Sequence, residues 1–405
     1  MPFEYGQAIK VFEKLVNNRQ VLVSLKEGLE KMRYQIPMVP LSLILLVELA
    51  EEKKEIPASV TELYDRFFDL MLGRWDKEKG LDILFEYFRK RNFLTELAFK
   101  EFYEKERLEI SKEEFKEFLD SYINQYDMST EESKIYIKEI ERAGILSING
   151  KVQFQHRSFL DYFIARYIFD KRTEFKDLDD FIVRTYFNDI WGEVAFFYVG
   201  LMREASPEII EKIFAFEGKE LFIQIEKFLI GKLLQAGWNS LSKTKYNGIE
   251  RAITYGPLIR DKFLKLVEKT RPKIPRIYAD FYVLFLSELS FGSRFLSKQA
   301  KDLLEKLSSN PTQNGLYEMM FVIWACRGIL NPDELKKIIQ QFLDTLKKIP
   351  NLPTEDKIKS YLILSVIKKE DKAFMKMIKR RLNGLKNRYQ NIFKELLPQR
   401  KKGFR

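Results

Sequence analysis

A chain of 405 residues, 45% hydrophobic and 32% charged, is long enough for two or three domains and a large buried core. One cysteine, Cys326, and one histidine, His156, exclude a disulfide framework and leave no Cys- or His-based set of metal ligands. The net charge of +11 is local, because residues 371–405 hold twelve basic and two acidic residues and so carry +10 of it. The N-terminal Met-Pro-Phe-Glu-Tyr lacks the basic and apolar regions of a signal peptide, and the longest mainly apolar run, Ile36 to Val47, is too short to span a bilayer. These features predict a soluble, reduced, cytoplasmic protein with no membrane span and no metal site.

In chain order, residues 7–31 place Ile9, Phe12, Leu15, Val16, Leu22, Leu25 and Leu29 at helical spacing. Pro37 and Pro40 punctuate, and Leu41 to Ala50 reads as a buried helix. Ser59 with Glu62 forms a capping-box signature, and the helix it opens carries Val60, Leu63, Tyr64, Phe67, Phe68, Met71 and Leu72 as an apolar stripe. Leu81 to Tyr103 reads as one long aromatic-rich helix. Ser111 with Glu114 and Ser129 with Glu132 open two more, and Gly144 suits the C′ position of the second.

Next, two short apolar runs flank Asn149-Gly150, a dipeptide that tolerates positive φ at both turn positions, with Leu146 and Ile148 on one arm and Val152 and Phe154 on the other. His156 and Arg157 follow. Ser158 with Asp161 marks a helix start, and the helix bears Phe159, Leu160, Tyr162, Phe163, Ile164, Tyr167, Ile168 and Phe169. A helix apolar nearly all round has to be buried. Helix, helix, hairpin, helix is the order of a winged-helix-type module. Beyond Asp170 the chain reads as helical throughout, punctuated by Pro207, Gly237, Pro257, Pro272, Pro275, Pro311, Pro332 and Pro350, with no fixed repeat period. The expected fold is mainly α: a helical domain (1–105), a winged-helix-type module with one β-hairpin (106–170), an α-solenoid-like helical array (171–370) and a basic C-terminal segment (371–405).

Several runs together carry a family resemblance. Ile56-Pro57-Ala58-Ser59, Glu62-Leu63-Tyr64, Arg74-Trp75-Asp76, Ala143-Gly144-Ile145-Leu146 and Phe154-Gln155-His156-Arg157-Ser158-Phe159-Leu160-Asp161-Tyr162-Phe163-Ile164-Ala165 resemble the helical and winged-helix part of NACHT-type STAND NTPases, which are nucleotide-switched signalling ATPases of bacterial defence and innate immunity. The resemblance covers residues 36–170. It implies that Pro40, in Pro40-Leu41-Ser42-Leu43, approaches a nucleotide and that His156 donates to its phosphate. On the residues alone, a junction histidine bonded to backbone is the other reading of His156. The family's Gly-x4-Gly-Lys-Ser/Thr phosphate loop is not found in the sequence, and only about 35 residues precede Pro37, so the chain reads either as the C-terminal part of a split or truncated STAND protein or as a relic used for something else. ATP or ADP then enters only if a nucleotide-binding domain is supplied in trans.

The expected function is regulatory and sensory work in such a system by protein–protein interaction, with a protein partner or trigger. The alternative is a nucleic-acid-binding helical protein using the basic C-terminus, with Lys379, Arg380, Arg381, Lys386, Arg388, Lys401 and Lys402 as polyanion-binding residues. The candidate recognition helix, Thr130 to Arg142, sets Glu131, Glu132, Glu139 and Glu141 against Lys134, Lys138 and Arg142, a near-neutral balance that favours protein contact over DNA reading. Without a phosphate loop, the purified chain should hydrolyse neither ATP nor GTP. Phosphate release that titrates with this protein through successive purification steps would overturn that expectation.

Overall fold

The computed structural model describes residues 5–31, 40–52, 59–73, 82–270, 275–309, 311–367 and 372–396. Met38, Val39, Ile56-Pro57-Ala58, Arg74-Trp75-Asp76, Lys401 and Lys402 lie outside the described residues. The fold is mainly α with one β-hairpin.

The apolar spacing over residues 7–31 resolves into two helices, α1 (Tyr5–Leu15) and α2 (Arg19–Lys31). The break falls at Asn18, whose side chain accepts the Gln20 amide at 2.9 Å. Next come α3 (Pro40–Glu51) and α4 (Val60–Met71), the latter capped by Ser59, whose Oγ accepts Glu62 N at 3.2 Å. The long helix expected from 81 to 103 is α5 (Asp82–Glu96) running straight into a π-helical stretch, Leu97–Tyr103, closed by Glu104 N to Phe99 O at 2.9 Å.

The winged-helix order follows: β1 (Ile110–Ser111), α6 (Lys112–Gln125), α7 (Thr130–Arg142), β2 (Leu146–Asn149), β3 (Lys151–Phe154) and α8 (Arg157–Asp170). Ser111 and Ser129 both form reciprocal capping boxes, with Glu114 and Glu132. Each satisfies two otherwise orphaned amides, and such a cap contributes about 0.5–2 kcal/mol. The antiparallel sheet has the order β1-β3-β2, with Leu146 opposite Phe154 and Ile148 opposite Val152. Sequence reading missed β1, whose Ile110 pairs with Val152 and is buried. The turn also differs from expectation: Asn149 stays in β2 opposite Lys151, and Gly150 alone takes positive φ, at +79°. Gly144 has φ +66° and does occupy C′ of α7.

The chain continues as α9 (Leu178–Tyr186), α10 (Gly192–Met202), α11 (Pro207–Ala215), α12 (Leu221–Phe228), α13 (Ile230–Ala236), α14 (Ser242–Ile253), α15 (Tyr255–Thr270), α16 (Ile277–Phe291), α17 (Ser297–Ser309), α18 (Gln313–Cys326), α19 (Pro332–Lys348), α20 (Thr354–Ile367), α21 (Lys372–Arg388) and α22 (Gln390–Leu396). Pro332 sits in the first turn of α19 behind an Asn331 capping box, and Pro257 lies in the first turn of α15, both places where a missing amide is tolerated. Two compact units result: residues 1–212 with 236–239, and residues 213–235 with 240–405.

In the first unit α8 is the central helix, with α4, α5, the π-helical stretch, α10 and β3 packed around it. In the second, α16 and α18 form the central pair, flanked by α15, α17 and α19, while α20 carries α21. Phe228, Phe291 and Phe321 are fully buried there. A buried polar network threads the same unit: Lys359 Nζ lies 3.4 Å from Asp280 and 2.8 Å from Glu355, and Gln313 Nε2 donates to Asp356 at 2.7 Å. Burial holds the Asp280 carboxyl above its usual range, opposed by Lys359 and Arg260.

The crossing of α10 on α4 depends on Gly200. A Cβ there would fall 1.9 Å from Thr61 Oγ1 and 2.7 Å from Thr61 Cβ, so backbone as well as side chain would have to move. Gly200→Ala should destabilise the fold by about 1–3 kcal/mol. Gly384→Ala, in a helical position with nothing within 4 Å of the added atom, should instead stabilise it by up to about 1 kcal/mol. Urea denaturation of both variants checks the opposite signs.

Candidate functional site

The sequence from His156 to Asp170 gives a helix without a solvent face, and the structure encloses it. Phe159, Leu160, Tyr162, Phe163, Ile164, Ala165 and Ile168 are all 2% exposed or less. Phe68 of α4 meets Phe163 at 4.4 Å and Phe159 at 5.0 Å between ring centroids, Tyr64 meets Phe197 of α10 at 5.0 Å, and Phe99 of the π-helical stretch stacks on Tyr167 at 4.2 Å. Packing of this kind contributes roughly 1.5–3 kcal/mol per buried aromatic or aliphatic side chain.

A buried helix must satisfy its polar groups, and here they reach outward to neighbours. The Tyr64 hydroxyl donates to Ser158 Oγ at 2.8 Å, and the Tyr162 hydroxyl donates to Asp65 Oδ1 at 2.5 Å, so two residues of α8 are tied to adjacent residues of α4. Arg166 bridges Asp65 at 3.3 Å and Asp170 at 3.1 Å. Arg157 pairs with Asp161, Nε to Oδ1 at 3.0 Å, donates from Nη2 to the Ile190 carbonyl at 2.8 Å, and lies 4.1 Å from the centre of the Trp191 ring. It thereby joins the start of α8 to the loop before α10.

These contacts correct the sequence expectation for the start of α8. Ser158 does not cap α8: the N-cap is His156, and Ser158 is claimed by Tyr64 while Asp161 is claimed by Arg157. Arg157 and Arg166 both form ion pairs within α8, and the Arg166 side chain is only 14% exposed. Their i,i+4 spacing to Asp161 and Asp170 was the available signal. Tyr64, Asp65 and Trp191 were not singled out for this role, since nothing local to them announces partners that lie 94 and 97 residues away for the first two and 34 residues away (191 − 157) for the third.

His156 is exposed, with extended backbone at φ −131° and ψ 138°, and its side chain makes no capping hydrogen bond. Its ring meets Phe159 edge-on at 5.0 Å. The exposed imidazole therefore lies against Phe159 at the amide end of α8, a place that favours an anionic oxygen. Pro40 is the exposed first residue of α3, and no hydrogen bond or ring contact joins it to His156. Lys379, Arg380, Lys386 and Arg388 are exposed on α21, whereas Arg381 donates to the Tyr361 hydroxyl at 2.9 Å. α7 is joined to α5 by ion pairs from Arg89 and Lys90 to its Glu132 and Glu139.

Burial pushes the Asp161 carboxyl up to about 6, against the lowering effect of Arg157 and with a further rise from Glu193. Burial likewise raises Tyr64 to about 12, opposed by its bond to Ser158. Both groups therefore favour their neutral forms more than they would in water.

Residues 108–164 match the family model described as Novel STAND NTPase 4. The match runs from just before β1 into α8 and supports a STAND NTPase-related module and a STAND-related signalling role. No curated protein and no solved structure matches the chain. No helix among the described residues is long and apolar enough to cross a membrane.

Two outcomes follow from this geometry. Phe159→Ala should cost about 3–5 kcal/mol and His156→Ala under about 1 kcal/mol, read side by side by chemical denaturation. Equal losses would make the histidine a core residue. The second outcome concerns pH. A carboxyl whose folded value, about 6, lies above its unfolded value of about 3.9 keeps its proton longer in the native state. Its contribution to stability then falls as pH rises across that interval. The stability of Asp161→Asn relative to wild type should accordingly improve between about pH 4 and pH 7, and a difference that stays flat with pH would contradict the assignment.

Proposed function

We propose that this chain is the relay and sensing part of a NACHT-like STAND signalling ATPase system of the kind used in antiviral defence, acting through protein partners. The observation that carries the reading is α8. The family-model match ends within it, its first turn begins at the exposed His156, and its buried polar groups are bonded to α4 and to the loop before α10. A shift at the start of such a helix moves the elements bonded to it, because a packed core has discrete rather than continuous arrangements. ATP or ADP, held by a phosphate-loop domain supplied in trans, is the ligand whose phosphate His156 contacts, with Pro40 approaching the same nucleotide. A neutral imidazole can donate that hydrogen bond through its ring N–H. The winged-helix module serves as a protein-contact element, which the near-neutral charge balance of α7 supports.

The test is co-expression with the product of a neighbouring reading frame that carries Gly-x4-Gly-Lys-Ser/Thr. A complex should form, and His156→Ala should weaken its ADP affinity by about tenfold without lowering the thermal midpoint of the chain, a typical magnitude for coupling between sites. Failure to form a complex, or unchanged ADP affinity in the variant, rejects the reading.

A further inference from the structure

The basic C-terminal segment becomes a specific surface once folded. Lys372, Lys376, Lys379, Arg380 and Lys386 are all exposed on α21, and none makes an ion pair or hydrogen bond with another described residue. At 3.6 residues per turn and 1.5 Å per residue they fall within about 120° of the helix circumference, along about 21 Å of its length. Asn383, also exposed, lies on the same face and adds amide donors. The opposite face is occupied: Leu382 and Leu385 pack, with Phe281, Leu362 and Ile392, against the buried cluster of Ile277, Ile358 and Phe393, and Ile378 is fully buried. Arg381 is turned aside onto Tyr361, with its guanidinium 5.6 Å from the ring centre. Arg388 lies off the face by the same helical spacing.

From this arrangement we propose that the Lys372–Lys386 face of α21 binds the phosphodiester backbone of double-stranded nucleic acid without reading its sequence. The choice among anionic partners follows from what the face lacks. A membrane-surface helix needs an apolar face to insert beside its cations, and the apolar face of α21 is already buried in the second unit. Binding of single strands relies on aromatic side chains that stack on bases, and the basic face carries none. What remains is a rigid row of unpaired cations, mostly lysines acting as point charges, which fits a regular array of phosphates and leaves base edges untouched. This surface is independent of the nucleotide relay, since it uses none of its residues.

The experiment is fluorescence anisotropy of the full chain with a labelled 20-base-pair DNA duplex over a salt series. With five phosphates neutralised, log K should fall against log salt with a slope of about −4 to −4.5, a loss of roughly 500-fold between 50 and 200 mM. A second duplex of unrelated sequence should bind equally. Lys372→Gln, Lys376→Gln, Lys379→Gln and Lys386→Gln combined should reduce the slope to about −1, whereas Lys336→Gln with Lys337→Gln, which removes two exposed charges from α19, should leave it unchanged. If the fourfold variant does not fold, Lys379→Gln alone should reduce the steepness by about 0.9. An unchanged slope in the α21 variants overturns the proposal and assigns any binding to other cations. Binding of phosphatidylserine vesicles that is lost in the same variants, with no duplex binding, overturns it in favour of a membrane surface.

Discussion

The first unit depends on one constraint: from Phe159 to Ala165, α8 has no exposed face. A helix of alternating polar and apolar sides can be satisfied by a single neighbour, but one with Phe159, Tyr162, Phe163, Ile164 and Ile168 spread around its axis requires walls in every direction. α4, α5 with its π-helical extension, α10 and the hairpin supply them. Enclosure then dictates the polar chemistry. Ser158, Asp161, Tyr162 and Arg166 cannot reach water freely, so each must end on a named partner. Asp161 ends on Arg157 within α8, but Ser158, Tyr162 and Arg166 reach Tyr64 and Asp65 of α4, so these bonds also link the helix mechanically to its surroundings.

Much of the fold was legible because its signals are local. Ser59, Ser111 and Ser129 announce helix starts within four residues, and the hairpin is written in alternation around Asn149-Gly150. What escaped reading was set by distant partners. Ser158 carries the residues of a cap, yet the Tyr64 hydroxyl outcompetes the cap geometry. β1 is two residues long and is a strand only because Val152 lies beside Ile110. The π-helical widening after Glu96 has no composition signal of its own, and it places Phe99 against Tyr167 and Phe102 against Phe154. At the candidate site, the position of His156 between strand and helix was readable, while the Arg157 link to Ile190 and Trp191 was not.

The second unit solves a different problem. Its helices bury a charged network of their own, with Asp280 wholly inaccessible and Lys359 nearly so. Such a network adds little net stability over a well-packed apolar substitute, but removing one member leaves the others costly. It thereby penalises misregistered packing of α16 against α20 more than an apolar contact would. The charge of α21 is organised by the same unit: α21 and α22 add Leu382, Leu385 and Phe393 to its apolar surface.

The enclosure of α8 also bears on how this protein could have been assembled in evolution. The segment matched by the family model, residues 108–164, stops short of the end of α8 and contains neither α4 nor α10. Moved by itself into another gene, it would arrive with a bare oily rod and several stranded polar groups. Recombination would therefore have to carry the flanking helices along, or find a host that already had their equivalents. The stretch that is easiest to recognise is not a portable cassette.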